Sequence, residues 1–242
     1  VAQAVAPVLQ QLGPEAGFVE IGGGSGAFAE IMLKRLLELD ALPTRYAILE
    51  PSADLGERQR ERLGRRLIPP VFELVEWLDA PPDETWNGVL FANEVIDALP
   101  TPRFTLRDGE VFEEGVALDG EGRFVRTDRP ADALLSAAVR HVERYLDAPF
   151  PDGYRSELLP QLPYWIQAVM GGLDKGVMLF ADYGYPRREF YQADRDDGTL
   201  RAYYRHRVHN DAYVWPGLQD ITASVDFTAL AEAGTNAGFD LA

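Results

Sequence analysis

Cysteine is absent from the 242 residues, which excludes disulfides, thiolate zinc sites and cysteine nucleophiles together. Any chemistry here must use oxygen and nitrogen groups. No apolar run approaches the roughly 20 residues needed to cross a bilayer, and no basic stretch followed by an apolar core opens the chain. A soluble, cytoplasmic protein without membrane insertion is expected. Positive charge is scarce, with 23 Lys and Arg against 39 Asp and Glu and a net charge of −16. Such a surface repels phosphate backbones, so nucleic acid is a poor partner and a cationic one a better guess; an acidic surface also serves solubility alone. Internal repeats and low-complexity segments are missing too, and a composition 46% hydrophobic and 26% charged is that of a chain that folds.

What is present is an alternation of strands and helices. Residues 2–12 read as a helix closed by Gly13-Pro14, and Phe18 to Ile21 as a short apolar strand that stops at glycines. Phe28, Ile31, Met32, Leu36 and Leu39 then recur at helical spacing, with Ser25 near the start. Tyr46 to Leu49 is a second buried strand ending at Glu50, and Ser52 is placed to cap a helix through about Arg66. Val71 to Val75, Gly88 to Ala92 and Gly176 to Ala181 are read as the third, fourth and fifth strands. Apolar strands separated by helices imply an α/β, Rossmann-like fold with a doubly wound, mostly parallel sheet.

Between the fourth and fifth strands the pattern changes. Residues 104–107, 110–117 and 123–127 alternate, with turns at Asp108-Gly109 and Asp119-Gly120, and 131–147 and 158–170 look helical. The expected organisation is one domain over 1–242 with an antiparallel and helical insertion at about 103–175. Residues 183–226 are aromatic and turn-rich with no clear period, as in a functional loop.

The turn Glu20-Ile21-Gly22-Gly23-Gly24-Ser25-Gly26 joins strand to helix, and glycines there let a ligand approach the backbone. Gly22, Gly24 and Gly26 are candidate cofactor contacts, but the spacing also fits a dinucleotide fingerprint. Glu50 is placed to accept ribose hydroxyls in either class. Glu20 separates them, because a carboxylate before the glycines suits a cationic ammonium and sits badly beside a pyrophosphate. A nicotinamide dehydrogenase is therefore the third reading.

Asn93-Glu94-Val95-Ile96-Asp97-Ala98-Leu99-Pro100, Asp182-Tyr183-Gly184-Tyr185-Pro186, Gly198-Thr199-Leu200-Arg201-Ala202-Tyr203 and Asp220 to Phe227 together resemble the MidA family of class I methyltransferases. The resemblance runs across nearly the whole chain. It implies S-adenosyl-L-methionine as cofactor and, from a mitochondrial member that assembles complex I, an arginine of a partner protein as acceptor. Relative to the family the chain looks truncated at both ends, which removes part of the acceptor side.

Within that resemblance, the residues after the third strand meet the adenine, which points to Glu76, Trp77 and Leu78; Trp77 as core is the alternative. Asn93 is a further cofactor candidate. Methylating a guanidinium requires carboxylates to orient it, and Glu94, Asp97 and Asp182 follow the fourth and fifth strands, where such crevices lie. The plainer readings make Asp97 the cap of a helix near Ile96 and Asp182 the anchor of its own loop. Glu157 resembles a family glutamate with a possible acceptor role. His206-x-x-His209 with Asp211 could be drawn as a metal site, but Arg201, Arg205 and Arg207 disfavour a cation there, and no metal is expected. A methyltransferase for a small molecule or another nucleophile, and a cofactor-binding assembly module without catalysis, are the alternatives.

Overall fold

The computed structural model describes residues 1–205 and 207–242. The chain forms two compact units, one of residues 1–95 and 167–181, the other of 96–166 and 182–242. In chain order it begins α1 (Ala2–Leu12), β1 (Gly17–Ile21), α2 (Ala27–Glu38), β2 (Tyr46–Leu49), α3 (Ala53–Arg66), α4 (Pro69–Phe72), β3 (Val75–Leu78) and β4 (Thr85–Asn93). There follow β5 (Arg103–Arg107), β6 (Glu110–Leu118), β7 (Phe124–Pro130), α5 (Ala133–Glu143), β8 (Arg155–Glu157), α6 (Leu162–Met170) and β9 (Gly172–Ala181). The remainder is β10 (Gly184–Tyr185), α7 (Arg187–Phe190), β11 (Arg201–Tyr204), β12 (Arg207–His209), β13 (Asp220–Thr222), β14 (Val225–Asp226) and α8 (Phe227–Asn236). Among the described residues no helix is long and apolar enough to cross a membrane.

The first unit is built on a five-stranded sheet ordered β3-β2-β1-β4-β9, with every neighbouring pair parallel. All five residues of β1 are buried, as a central strand covered on both faces requires. Phe18 stacks on Tyr46 with ring centroids 4.8 Å apart, and Phe28 of α2 stacks on Phe91 at 4.4 Å. These rings join Leu33, Leu36, Leu63 and Ile48 in one core. Strand order reverses between β1 and β4, and ligands in such sheets bind outside the carboxyl ends at that point. A row of glycines crosses the sheet at its other end: Gly17 is in register with Gly88 and Gly88 with Gly176. A Cβ on Gly88 would lie 1.9 Å from the Gly17 carbonyl oxygen, and one on Gly176 1.8 Å from that of Gly88.

The third strand is not where the apolar run 71–75 placed it. Pro69 and Pro70 open a short helical turn instead, α4, because proline presets φ and needs no donor there. Val71 is buried from that turn, and β3 starts at Val75, pairing with Tyr46. Glu76 and Trp77 thus lie within the strand rather than after it. Residues 79–84 then lead to β4 without a helix.

The second unit holds a four-stranded antiparallel sheet, β7-β6-β5-β8. Asp108 at φ 49 and Gly109 at φ 77 turn the β5–β6 hairpin, two positive φ values in succession being the type I′ geometry. Phe104, Leu106, Val139, Tyr154 and Phe190 belong to its core. Asp132 caps α5 by accepting from the Leu135 N–H at 2.7 Å, and Asp226 caps α8 through the Thr228 and Ala229 N–H groups. The stretch 183–226 is not a loop throughout: β12, β11 and β13 form an antiparallel sheet, and β10 pairs with β14.

Candidate active site

At the end of β1 the chain passes through three left-handed glycines, Gly22 at φ 70, Gly24 at φ 50 and Gly26 at φ 73, a conformation costly to any residue with a Cβ. Gly26 is the N-cap of α2. A Cβ on Gly23 would meet Ile48 Cγ2 at 2.6 Å, so the turn lies hard against the sheet on that side. A Cβ on Gly24 would meet nothing within 4 Å. The backbone is open at Gly24.

Gln59 holds this turn, and nothing in the sequence announces it. Fully buried on α3, its Nε2 donates to the Gly24 carbonyl at 2.9 Å and to Glu50 Oε2 at 3.0 Å. Its Oε1 accepts from Trp77 Nε1 at 3.0 Å. Indole nitrogen only donates, so the orientation of the amide is forced by its three partners. Glu50 is held a second time, its Oε1 accepting from the Ser52 N–H at 3.1 Å. Ser52 also caps α3, its hydroxyl accepting from Leu55 N–H at 3.3 Å. Three strand ends are tied together through one amide.

Trp77 is half-buried on this face, with the Arg60 guanidinium 4.6 Å from its ring centroid. Glu76, next to it in β3, alternates to the other face and pairs with Arg45 at 3.2 Å. The structure therefore brings Gly24, Glu50 and Trp77 together around Gln59, and does not bring Glu76 to them.

Glu20 is buried in β1, its Oε2 accepting from the Tyr46 hydroxyl at 2.7 Å. Burial pushes its carboxyl up from 4.5 to about 7; the Tyr46 bond works against this and the charge of Glu50 adds to it. Burial and the same carboxyl hold the Tyr46 phenol well above its ordinary value.

Asn93 ends β4 exposed, in register with Ala181 at the end of β9. Glu94 follows, exposed, at φ 49, its N–H donating to the Ala181 carbonyl at 2.8 Å. A non-glycine residue at positive φ persists only where its surroundings impose it, and such residues gather at functional sites.

Asp97 and Asp182 belong to the second unit. Asp182 Oδ2 accepts from the N–H groups of Ile96 at 3.0 Å and Asp97 at 3.3 Å, and its Oδ1 from Tyr183 N–H at 2.8 Å. Ile96 to Leu99 is a turn, not the start of a helix, and Asp97 is buried in it, its carbonyl accepting from Ala223 N–H at 3.0 Å. His209 lies in β12, while His206 falls outside the described residues. Among the described residues no three His, Cys, Asp or Glu side chains are grouped to hold a metal.

The whole chain, residues 1–242, matches the model of Methyltransf_28, a family described as S-adenosyl-L-methionine-dependent methyltransferases. The chain belongs to this family. Similar solved structures include a COG1565 superfamily member of Burkholderia thailandensis bound to S-adenosyl-homocysteine, 39% identical with a TM-score of 0.86, covering 99% of this chain and 61% of that one. A native structure from the same organism gives 39% and 0.87, covering 99% and 63%. Curated relatives include the mitochondrial protein arginine methyltransferase NDUFAF7 of Mus musculus, 27% identical over 90% of this chain and 52% of that protein. The Drosophila melanogaster homolog is 26% identical over 86% and 50%. The chain thus spans about half the length of these curated relatives and has the parallel-sheet α/β fold of the MidA family, whose cofactor is S-adenosyl-L-methionine.

Proposed function

We propose that this protein transfers the methyl group of S-adenosyl-L-methionine to an arginine of a partner protein. Two curated relatives carry the name of protein arginine methyltransferases, and the observation that carries the reading is Glu94, an exposed carboxylate held at φ 49 at the carboxyl end of β4. The cofactor, when bound, supplies a methyl carbon on a cationic sulfur. This chain binds and orients it. The open backbone at Gly24 admits the cofactor beside the glycine turn, Glu50, fixed by Gln59 and Ser52, accepts ribose hydroxyls, and Trp77 and Asn93 border the same edge. The buried carboxyl of Glu20, ionised when a cationic group lies beside it, supplies negative charge behind the turn. At the acceptor, a guanidinium stays protonated at neutral pH and must lose a proton as it is methylated. A Glu94 carboxylate oxygen accepts a guanidinium N–H, orients the nitrogen to be methylated and takes the proton that it gives up. Asp182, which already caps the Ile96–Asp97 turn through backbone N–H groups, is a positioning residue, and Asp97 stabilises the same turn from inside it.

Those engaged carboxylates also favour a second reading, a cofactor-binding assembly module in which Asp97 and Asp182 only shape the loop. The two separate in one experiment: the full-length protein is incubated with labelled cofactor and a cell lysate, and methylated residues are located by mass spectrometry. Methylarginine formed by the wild type and lost in Glu94→Gln is expected. No methyl on any arginine, or the same amount from the variant, sinks the arginine reading.

A further inference from the structure

In the second unit, one face of the β6–β7 ribbon and the chain from His209 to Ile221 border a groove of about 1130 Å³. We propose that this groove docks an uncharged segment of a partner protein that carries an aromatic side chain between aliphatic ones. The role is separate from the acceptor of methyl transfer and does not rest on that reading.

The register of the ribbon sets its faces. Val116 stands opposite Arg126 and Leu118 opposite Phe124, and alternation along each strand turns these four side chains, with Glu114, to one side. The three apolar ones are open to solvent, Val116 at 56%, Leu118 at 63% and Phe124 at 44%. Ile221, 41% exposed, lines the same groove. Large apolar side chains gathered on one face mark an interaction site, whereas single ones scattered over a surface do not. Pockets for small ligands occupy roughly 300–1,000 Å³, so this groove has room for several residues of a chain.

The charges on its floor cancel. Arg103 reaches Asp197 at 2.8 Å and Glu114 at 3.2 Å, and Arg126 reaches Asp197 at 3.0 Å and Glu114 at 3.1 Å. Two guanidiniums and two carboxylates thus close a ring. Arg155, also on Glu114, is matched by Asp128 at 3.0 Å. Glu157, 3.8 Å from Arg103, is buried outside the lining and engaged by Thr199 N–H and Thr199 Oγ1. A basic ligand meets two arginines here, and an acidic one meets Asp211 and the field of a chain of net charge −16. A neutral one is favoured. Within the ring Arg126 is the open member, its side chain 37% exposed against 11% for Arg103. Its Nε and one terminal nitrogen are anchored, and the face of a guanidinium so fixed takes an aromatic ring. Among the described residues no ring lies over it, whereas Arg60, Arg187 and Arg195 lie over Trp77, Tyr145 and Tyr185.

NMR titration of the full-length protein with acetyl-Leu-Trp-Leu-amide and with acetyl-Leu-Ser-Leu-amide tests the groove. The tryptophan peptide is expected to bind about tenfold or more tightly. Arg126→Lys keeps the charge but not the planar face, and should lower tryptophan-peptide affinity about threefold or more while serine-peptide affinity stays unchanged. Phe124→Ser removes apolar wall and should weaken both peptides. Far-UV circular dichroism and S-adenosylhomocysteine affinity should match the wild type in both variants, showing that both units are folded. No binding of the tryptophan peptide, equal affinity for the two peptides, or binding untouched by both substitutions overturns the docking site. Acetyl-Leu-Glu-Leu-amide or acetyl-Leu-Arg-Leu-amide binding as tightly as the tryptophan peptide overturns the uncharged, aromatic occupant. A dimer seen by sedimentation that dissociates in Phe124→Ser would give the face to a second copy of the chain and overturn the proposal.

Discussion

The Tyr46 hydroxyl donates to Glu20 Oε2 at 2.7 Å between two side chains with almost no access to solvent. A carboxyl raised in the folded protein to about 7 from 4.5 keeps its proton where the unfolded chain has lost it. Stability from this group is fully present below pH 4.5 and is lost as pH rises to about 7, by about 3 kcal/mol at most. Thermal unfolding followed from pH 4.5 to 8 should show that decline in the wild type and a flatter profile in Glu20→Gln. Equal profiles would mean that Glu20 is ionised throughout.

The same group couples cofactor binding to protons. An ammonium placed near Glu20 favours its ionised form, so if the ammonium of zwitterionic S-adenosylhomocysteine lies there, its binding below pH 7 is expected to release a proton, and affinity to rise by about tenfold between pH 5.5 and 8. Calorimetry in two buffers of different ionisation enthalpy reads the proton directly. Proton uptake, or a pH-independent affinity, would place the ligand's charge elsewhere.

Gln59→Leu removes the amide that ties Gly24, Glu50 and Trp77 together. Three hydrogen bonds end at once, and with about 1 kcal/mol for each that bears on binding, S-adenosylhomocysteine affinity should fall about 10- to 100-fold. In a transfer assay the loss should appear in the KM for the cofactor, with kcat changed little. A selective fall in kcat would show that Gln59 acts on the acceptor instead.

The glycines of the turn should fail in different ways. Gly23→Ala drives a Cβ to 2.6 Å from Ile48 Cγ2, an overpacking that costs about 1–3 kcal/mol, and its melting temperature should drop. Gly24→Val meets no protein atom within 4 Å but occupies the open side at a left-handed φ, so cofactor binding should be lost. If Gly24→Val binds S-adenosylhomocysteine normally, the cofactor does not lie against that backbone.

Much of this was legible because the period changes sharply at Gly22 and again at Glu50, and buried parallel strands leave uninterrupted apolar runs. The register of β3 was not: Pro69-Pro70-Val71-Phe72 is apolar enough to pass for a strand, and only the pairing of Val75 with Tyr46 settles where it begins. Short segments such as β8 and β12, each of three residues, carry no period at all. Gln59 was invisible for another reason. It sits among Arg58, Arg60, Glu61 and Arg62, on a helix that reads as solvated, and its burial depends wholly on what the rest of the first unit places above it.

Glu94 offers a separation of stability from activity. Glycine takes φ 49 without the strain that a side chain meets, so Glu94→Gly should raise the melting temperature, by the equivalent of up to about 1 kcal/mol. Methyl transfer in the same variant should drop by about 100-fold or more, the scale of losing an electrostatic contact to the reacting group. A variant that is both more stable and fully active would mean that the strained backbone serves no chemistry.

The glycines at the far end of the first unit's sheet act as a ruler. Because a Cβ at Gly88 or Gly176 would strike a neighbouring carbonyl, Gly17, Gly88 and Gly176 fit side by side in only one phase. A slip of one residue would bring a side chain into that gap. Counted forward from this row, β1, β4 and β9 reach Ile21, Ala92 and Phe180 at one level. The ends from which the glycine turn and Glu94 depart are thus levelled from the opposite edge of the sheet.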